Sequence, residues 1–153
     1  MKKGLKILLS VAAVFAFIVA LLILSPKIIK THSKNAAFKQ VQNNQTELAE
    51  IANSVINGET DTPYEYKGYK VKHLKTPSVK EPIVEFNGRG FGIAPSGYYT
   101  GFYYSPKDIP VRFQGSGTAM EPSGNGWAYN EVGDNHGYTE KICNNWYWFE
   151  FYF

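Results

Sequence analysis

The chain has 153 residues, of which 44% are hydrophobic, 16% aromatic and 19% charged, and its net charge is +3. This length allows one globular domain with an appendage, and the aromatic content excludes a chain that is disordered throughout. Seven of the 16 basic residues and none of the 13 acidic ones lie in residues 1–46, which therefore carry +7, whereas the remainder carries −4. An acidic remainder with only Arg89 and Arg112 as arginines excludes the basic surface that binds nucleic acid.

A short basic tail, residues 1–6, precedes a long apolar run. The run Ile7–Leu24 has no charged side chain, and at about 1.5 Å per residue it approaches the ~30 Å hydrocarbon thickness of a bilayer. It ends in Leu-Ile-Leu-Ser-Pro-Lys, which lacks the small residues of a signal-peptidase site. The sequence therefore predicts an uncleaved transmembrane helix rather than a cleaved secretory signal.

Lysines flank both ends of this predicted helix. Three precede it and four follow it closely, so the positive-inside comparison is nearly balanced. A very short basic N-terminus is typical of a signal anchor, which keeps its N-terminus in the cytoplasm. We therefore expect a single-pass protein of the cell membrane whose C-terminal domain is extracytoplasmic.

Residues 25–60 are predicted to form a juxtamembrane stalk with an amphipathic helix. From Ser33 to Asn57, apolar and polar seam positions recur at alternating steps of four and three: Ala37, Val41, Asn44, Leu48, Ile51 and Val55. The pair Asn57-Gly58 is a typical helix stop. The helix could lay its apolar face on the following domain, or it could form a short coiled coil in a homodimer with Asn44 setting the register.

Residues 61–153 are predicted to form an all-β domain, so the fold class is mainly β. Short aromatic and β-branched runs alternate there with Gly, Pro, Asn and Ser, a pattern typical of strands joined by tight turns. No connection is long enough for a crossover helix, which predicts an antiparallel sheet arranged as a sandwich or a meander.

The β domain contains an internal sequence repeat. The segment 84–97 matches 111–124 in the pattern Val-x-Phe-x-Gly-x-Gly-x4-Pro-Ser-Gly, at a constant offset of 27 residues. We interpret the repeat as two copies of one β unit packed side by side, near 84–104 and 111–132. A phosphate-binding glycine loop is the alternative, and the lack of a following helix argues against it.

The chain ends in two strand-like runs separated by Asn144-Asn145, which predicts a tight hairpin. In the last run, Tyr147, Phe149, Phe151 and Phe153 alternate with Trp146, Trp148, Glu150 and Tyr152, so the purely aromatic face is expected to point into the core. Such an apolar strand is expected in the middle of the sheet, because an exposed edge of this kind would aggregate.

The surplus of aromatic side chains is the strongest functional feature, because amphipathic rings on a rigid sheet suit recognition of a glycan or a protein. The predicted binding surface comprises Tyr98, Tyr99, Tyr103, Tyr104, Trp127, Tyr129, Trp146 and Trp148. The alternative is a structural role, in which most of these rings fill the core. We expect a membrane-tethered binding module of the cell envelope that is not an enzyme.

Two rival functions remain open from the sequence. Glu131, Asp134 and His136 could serve an envelope hydrolase, although Asp-Asn-His-Gly is also typical of a solvated turn. The third hypothesis is a structural component that assembles through the stalk. Cys143 is the only cysteine and is expected to be a partly buried strand residue, which excludes a cysteine zinc cluster; no cofactor or metal is predicted.

Overall fold

The computed structural model describes residues 13–15, 30–75, 82–93, 96–112, 119–131 and 133–153. The chain divides into two compact units, Met1–His32 and Ser33–Phe153. The predicted span Ile7–Leu24 lies outside the described residues except for 13–15, which are helical. Within the described ranges, we find no helix with both the length and the apolar character needed to cross a membrane.

The second unit is built on one antiparallel sheet, which confirms the mainly β fold class. Two helical segments come first: residues 30–43 (α1), of which 33–43 belong to this unit, and Gln45–Asn57 (α2). The strands are β1 (Tyr64–Tyr66), β2 (Tyr69–Leu74), β3 (Ile83–Ile93), β4 (Ser96–Tyr104), β5 (Glu121–Ser123), β6 (Gly126–Asn130), β7 (His136–Cys143) and β8 (Trp146–Tyr152).

The strand order is β1-β2-β3-β4-β8-β7-β6-β5. The sheet is therefore two four-stranded meanders, β1–β4 and β5–β8, joined by the antiparallel pairing of β4 with β8. The apolar strand β8 lies in the middle of the sheet, as predicted. The hairpin turn Asn144-Asn145 is also confirmed, since Cys143 pairs with Trp146 and Asn145 has a φ of 68°.

The sequence repeat does not produce two equivalent β units in the described residues. Ser96 lies in β4 after its hairpin turn, whereas the matching Ser123 lies in β5 before its turn. Val111 and Arg112, which match the start of β3, are not in a strand. The prediction of two units side by side is therefore wrong, because the topological counterpart of β4 is β8, which lies outside the matched segments.

Both faces of β8 are buried, not only the predicted one. Trp146 and Trp148 pack with the helices on one side, which we call the helix face. Tyr147, Phe149 and Phe151 pack on the other side, which we call the loop face, because Val111 and Met120 from the β4–β5 connection cover it. Phe153, which was predicted to be in the core, is 38% exposed.

The predicted helix is present but breaks at Asn44. Asn44 has φ −130° and ψ 26°, and its side-chain Nδ2 donates to the carbonyl of Gln40 at 2.9 Å. The helical segments bury one shared face against the sheet, formed by Ala37, Val41, Leu48, Ala52 and Val55. This confirms that the helix lies on the β domain. The homodimer stays a prediction, and one built on these side chains would have to displace the sheet.

Candidate functional site

The eight aromatic residues of the predicted binding surface do not share one surface. Successive residues of a strand point to opposite faces. Four of the eight therefore belong to the helix face, Tyr98, Tyr104, Trp146 and Trp148, and four to the loop face, Tyr99, Tyr103, Trp127 and Tyr129.

Half of these residues are core residues. Tyr103, Tyr129, Trp146 and Trp148 are only 0–3% exposed. Their polar atoms have internal partners: the Tyr103 hydroxyl accepts from the backbone N–H of Val111 at 2.8 Å, and Trp148 Nε1 donates to Thr100 Oγ1 at 3.0 Å. Burial also raises the pKa of Tyr103 far above its ordinary value. These four rings stabilise the fold and have no surface to offer a partner.

The four predicted residues that are not buried lie at opposite ends of β4 or in the second meander, β5–β8. Tyr98 and Tyr99 lie near the start of β4 and Tyr104 at its end, which places them on the order of 20 Å apart. Trp127 lies in β6 and is half-buried. Tyr99, at 40%, is the most exposed of the eight. Two surfaces therefore replace the single one that the sequence predicted.

The first surface lies at the end of the sheet where the chain enters the second unit. The hydroxyl of Tyr98 lies beside the side chain of Ser33, at the start of α1. The Tyr99 ring meets Phe153 edge to face, with ring centroids 5.4 Å apart, and Tyr98 packs on Tyr152 at 4.8 Å. We call this the entry end.

The second surface is the loop of residues 105–110 at the opposite end, which we call the distal loop. Asp108 holds it in place: its carboxylate accepts from the backbone N–H of Asn145 at 2.8 Å and from the Tyr147 hydroxyl at 3.0 Å, and it forms an ion pair with Lys141. The hydrogen bond from Lys141 is the largest of the causes that lower the pKa of Asp108.

On top of this framework the distal loop presents an apolar side chain. Ile109 is 48% exposed, and its backbone N–H donates to Ser105 Oγ at 3.3 Å. Asn145 Nδ2 also donates to the carbonyls of Ser105 and Pro106, at 2.9 and 3.0 Å. From the sequence, Pro106 and Pro110 predict a loop here, because proline blocks the extension of a strand. The signal that was present is an isoleucine between two prolines in an otherwise polar segment.

No match is found when the sequence is compared with protein-family profiles, with curated proteins or with solved structures.

In the predicted hydrolase cluster, the Glu131 carboxylate lies near Arg112, whereas His136 Nδ1 lies 2.8 Å from the backbone carbonyl oxygen of Asp134. Glu131 Oε1 lies 3.7 Å from Arg112 Nη1, and the Glu131 backbone N–H donates to the Asn135 carbonyl at 2.8 Å. The His136 ring stacks on Tyr152 with centroids 4.6 Å apart. Among the residues that the structure describes, no group of three or more His, Cys, Asp or Glu side chains could hold a metal ion. The observed geometry is that of a closed turn.

A buried carboxyl that the sequence analysis did not single out lies on the loop face. Glu85 is 1% exposed and accepts a hydrogen bond from Asn87 Nδ2. Burial raises its pKa to about 7, against the smaller opposing effects of Asn87 and of the charge on Lys72. Because β2 pairs Lys72 with Glu85 and β4 pairs Tyr103 with it, the carboxyl lies in the interior of the sheet rather than in a cleft. It is a stability determinant.

Glu85 makes the stability of the domain depend on pH. The folded state binds the proton more tightly than the unfolded chain, so the contribution is complete below the ordinary pKa of 4.5 and is lost as the pH rises through about 7. We expect the free energy of unfolding to fall by about 2 kcal/mol between about pH 5 and pH 8 from this group. Denaturant titrations of the wild type and Glu85→Gln at several pH values check this. Glu85→Gln should remove this part of the decrease in the free energy of unfolding with pH. An equal decrease in both proteins would contradict it.

Proposed function

We propose that the protein is a single-pass membrane protein whose extracytoplasmic β domain is a non-enzymatic binding module of the cell envelope, and that the distal loop contacts its partner. The observation that carries the proposal is the exposed Ile109 on a loop whose backbone is fixed by the Asp108 network. The anchor itself rests on the sequence of residues 7–24.

The rigidity of the distal loop favours binding. A loop that is already ordered loses little conformational entropy when it binds, so more of the contact energy appears as affinity. The side chains of Lys141 in β7 and Tyr147 in β8, together with the backbone N–H of Asn145 in the β7–β8 turn, hold Asp108 in place. The loop is thus fixed to the centre of the sheet, as binding loops on rigid scaffolds commonly are.

The chemistry of the distal loop fits a protein partner better than a glycan. The exposed aliphatic side chain of Ile109, in the same loop as the exposed Lys107, resembles a small apolar contact with a polar rim. A glycan would need a largely exposed ring, and Tyr99, the most exposed of the eight predicted residues, lies at the entry end. Tyr104, half-buried at the end of β4, would extend the contact area beside the loop.

A charge at the centre of this contact should weaken binding. We expect Ile109→Asp to lower the affinity for a captured partner about tenfold or more, because a buried contact residue is worth on the order of 1–2 kcal/mol. The measurement is a quantitative pull-down with the detergent-solubilised full chain. Glu121→Lys, on the exposed edge strand β5, is the matched control and should capture as the wild type does.

The comparison of these variants decides where the contact lies. Unchanged capture by Ile109→Asp would show that the partner binds another surface. Loss in both variants, with melting temperatures equal to that of the wild type, would show that general surface charge rather than the distal loop governs the interaction. Loss in Ile109→Asp alone supports the proposal.

A further inference from the structure

Two exposed rings form a ledge at the entry end of the sheet. Tyr99 and Phe153 are 40% and 38% exposed, and they contact each other. The backbone beneath them is fixed, because the Phe153 N–H donates to the Gly97 carbonyl at 2.9 Å and Tyr99 pairs with Phe151. We call this pair of side chains the aromatic ledge.

Further amphipathic rings stand behind the aromatic ledge. Tyr98 and Tyr152 are half-buried and pack on each other, and the His136 ring is parallel to Tyr152 within 8°. Tyrosine combines an apolar ring with a hydroxyl that stays in a wet environment. This combination is enriched where membrane proteins cross the lipid headgroup region.

The strands beside the aromatic ledge are uncharged, whereas the neighbouring β6–β7 turn carries an acidic residue. No residue from Gly90 to Tyr104 is charged, and β3 pairs with the start of β4 at the entry end. The exposed Asp134 lies two residues before His136, whose ring stacks on Tyr152. A surface that contacts lipid headgroups and the outer part of the acyl chains benefits from uncharged side chains there, since burying a charge without a partner is costly.

The covalent chain limits how far this end can lie from the predicted membrane helix. Leu24 precedes Ser33 by nine residues, and Ser33 lies beside Tyr98. Residues 30–33 are helical and rise about 1.5 Å per residue, so this stretch spans at most about 26 Å even if the residues before Lys30 are fully extended. The connecting segment also contains Lys27 and Lys30, and a lysine near an anionic lipid surface contributes about 1 kcal/mol of attraction.

We propose that the aromatic ledge rests in the headgroup region of the lipid bilayer. Tyr99 and Phe153 enter the interface, and the half-buried Tyr152 lies behind them. This inference rests on the membrane anchor of the proposed function, and it leaves the distal loop directed away from the membrane. The ledge thus sets the orientation of the domain, whereas Ile109 contacts the partner.

Depth-dependent quenching in vesicles tests this proposal. The full chain, with Cys143→Ser and one of Tyr99→Cys, Phe153→Cys or Ile109→Cys, is labelled with an environment-sensitive fluorophore. It is reconstituted in vesicles of phosphatidylcholine and phosphatidylglycerol that contain a lipid with a nitroxide near its headgroup. Labels at 99 and 153 should be quenched at least about threefold more than the label at 109, because interfacial side chains lie ~5–10 Å deep.

Each outcome bears on a stated part of the proposal. Equal quenching at the three positions overturns the aromatic ledge as a lipid contact. If a soluble protein or glycan protects the labels at 99 and 153 from quenching, the aromatic ledge is assigned to that ligand instead. If Tyr99→Cys does not fold, the label at Phe153 decides. Carbonate extraction tests the anchor separately, and protein that is removed from the membrane by carbonate refutes the anchor. In that case, flotation of the protein with vesicles that Tyr99→Ser abolishes would still support the aromatic ledge as a lipid contact. Absence of flotation would refute the aromatic ledge as a lipid contact.

Discussion

Deletion of residues 146–153 is expected to abolish folding of the β domain. The strand β8 pairs with β4 on one side and with β7 on the other, so its removal separates the two meanders. The deletion also removes four large side chains that are at most 2% exposed: Trp146, Tyr147, Trp148 and Phe149. Burial of each contributes about 1.5–3 kcal/mol, and their sum is comparable with the whole stability of a domain of this size.

Circular dichroism and thermal unfolding of the detergent-solubilised chain measure this effect. The truncated chain should lack a cooperative transition, whereas a chain that lacks only Phe153 should melt within a few degrees of the wild type, since Phe153 is exposed. A truncation that remains soluble and melts cooperatively would show that the two meanders are stable without β8.

The second large effect is expected for Gly101→Ala. Gly101 lies in β4 between β3 and β8, and a Cβ there would be 2.2 Å from the Phe86 carbonyl oxygen and 2.9 Å from the Phe149 ring. The carbonyl belongs to the backbone of β3 and cannot move without disturbing its strand pairing. We expect a loss of about 3 kcal/mol in the free energy of unfolding, at the upper end of the usual cost of overpacking.

Gly90→Ala is the matched control, because it is the same substitution in the adjacent strand β3. The nearest atoms there belong to the Tyr99 ring, at 3.0 Å, and this exposed side chain can rotate away. Its cost should stay below about 1 kcal/mol. Denaturant unfolding monitored by tryptophan fluorescence reports both variants, since Trp146 and Trp148 are buried. Similar losses at the two positions would contradict the account of close packing at Gly101.

The parts of the fold that depend on local patterns could be predicted from the sequence. Asn144-Asn145 predicted the last hairpin because positive φ suits asparagine, and the apolar character of β8 predicted its central position. The end of α2 at Gly58, with φ 76°, followed from the same physical rule. The hairpin turn and the helix end depend on interactions within a few residues along the chain, whereas the central position of β8 followed from its composition alone.

The features that could not be predicted depend on contacts between distant residues. The break at Asn44 is invisible in a regular apolar repeat, and the pairing of β4 with β8 joins residues more than 40 positions apart. The distal loop acquires its rigidity from Asn145 and Tyr147, which are equally distant from it in sequence. The repeat misled because matching Gly and Pro positions record turn chemistry rather than strand pairing.

The binding surface was mispredicted for a reason that the sequence already contained. Tyr98 and Tyr99, like Tyr103 and Tyr104, are neighbours in a strand and must therefore point to opposite faces. Counting aromatic residues without separating the two faces merged core rings with surface rings. Alternation along the strand places Tyr99 and Tyr103 on one face of the sheet and Tyr98 and Tyr104 on the other.

The central position of β8 has a consequence for biosynthesis. Among the strands that the structure describes it is the last along the chain, so β4 and β7 keep unpaired edges while the chain is being made. Each meander would emerge from the ribosome or translocon with one edge uncovered, and such edges pair readily with other chains. Nascent copies of this protein should therefore depend on chaperones until their final strand is released.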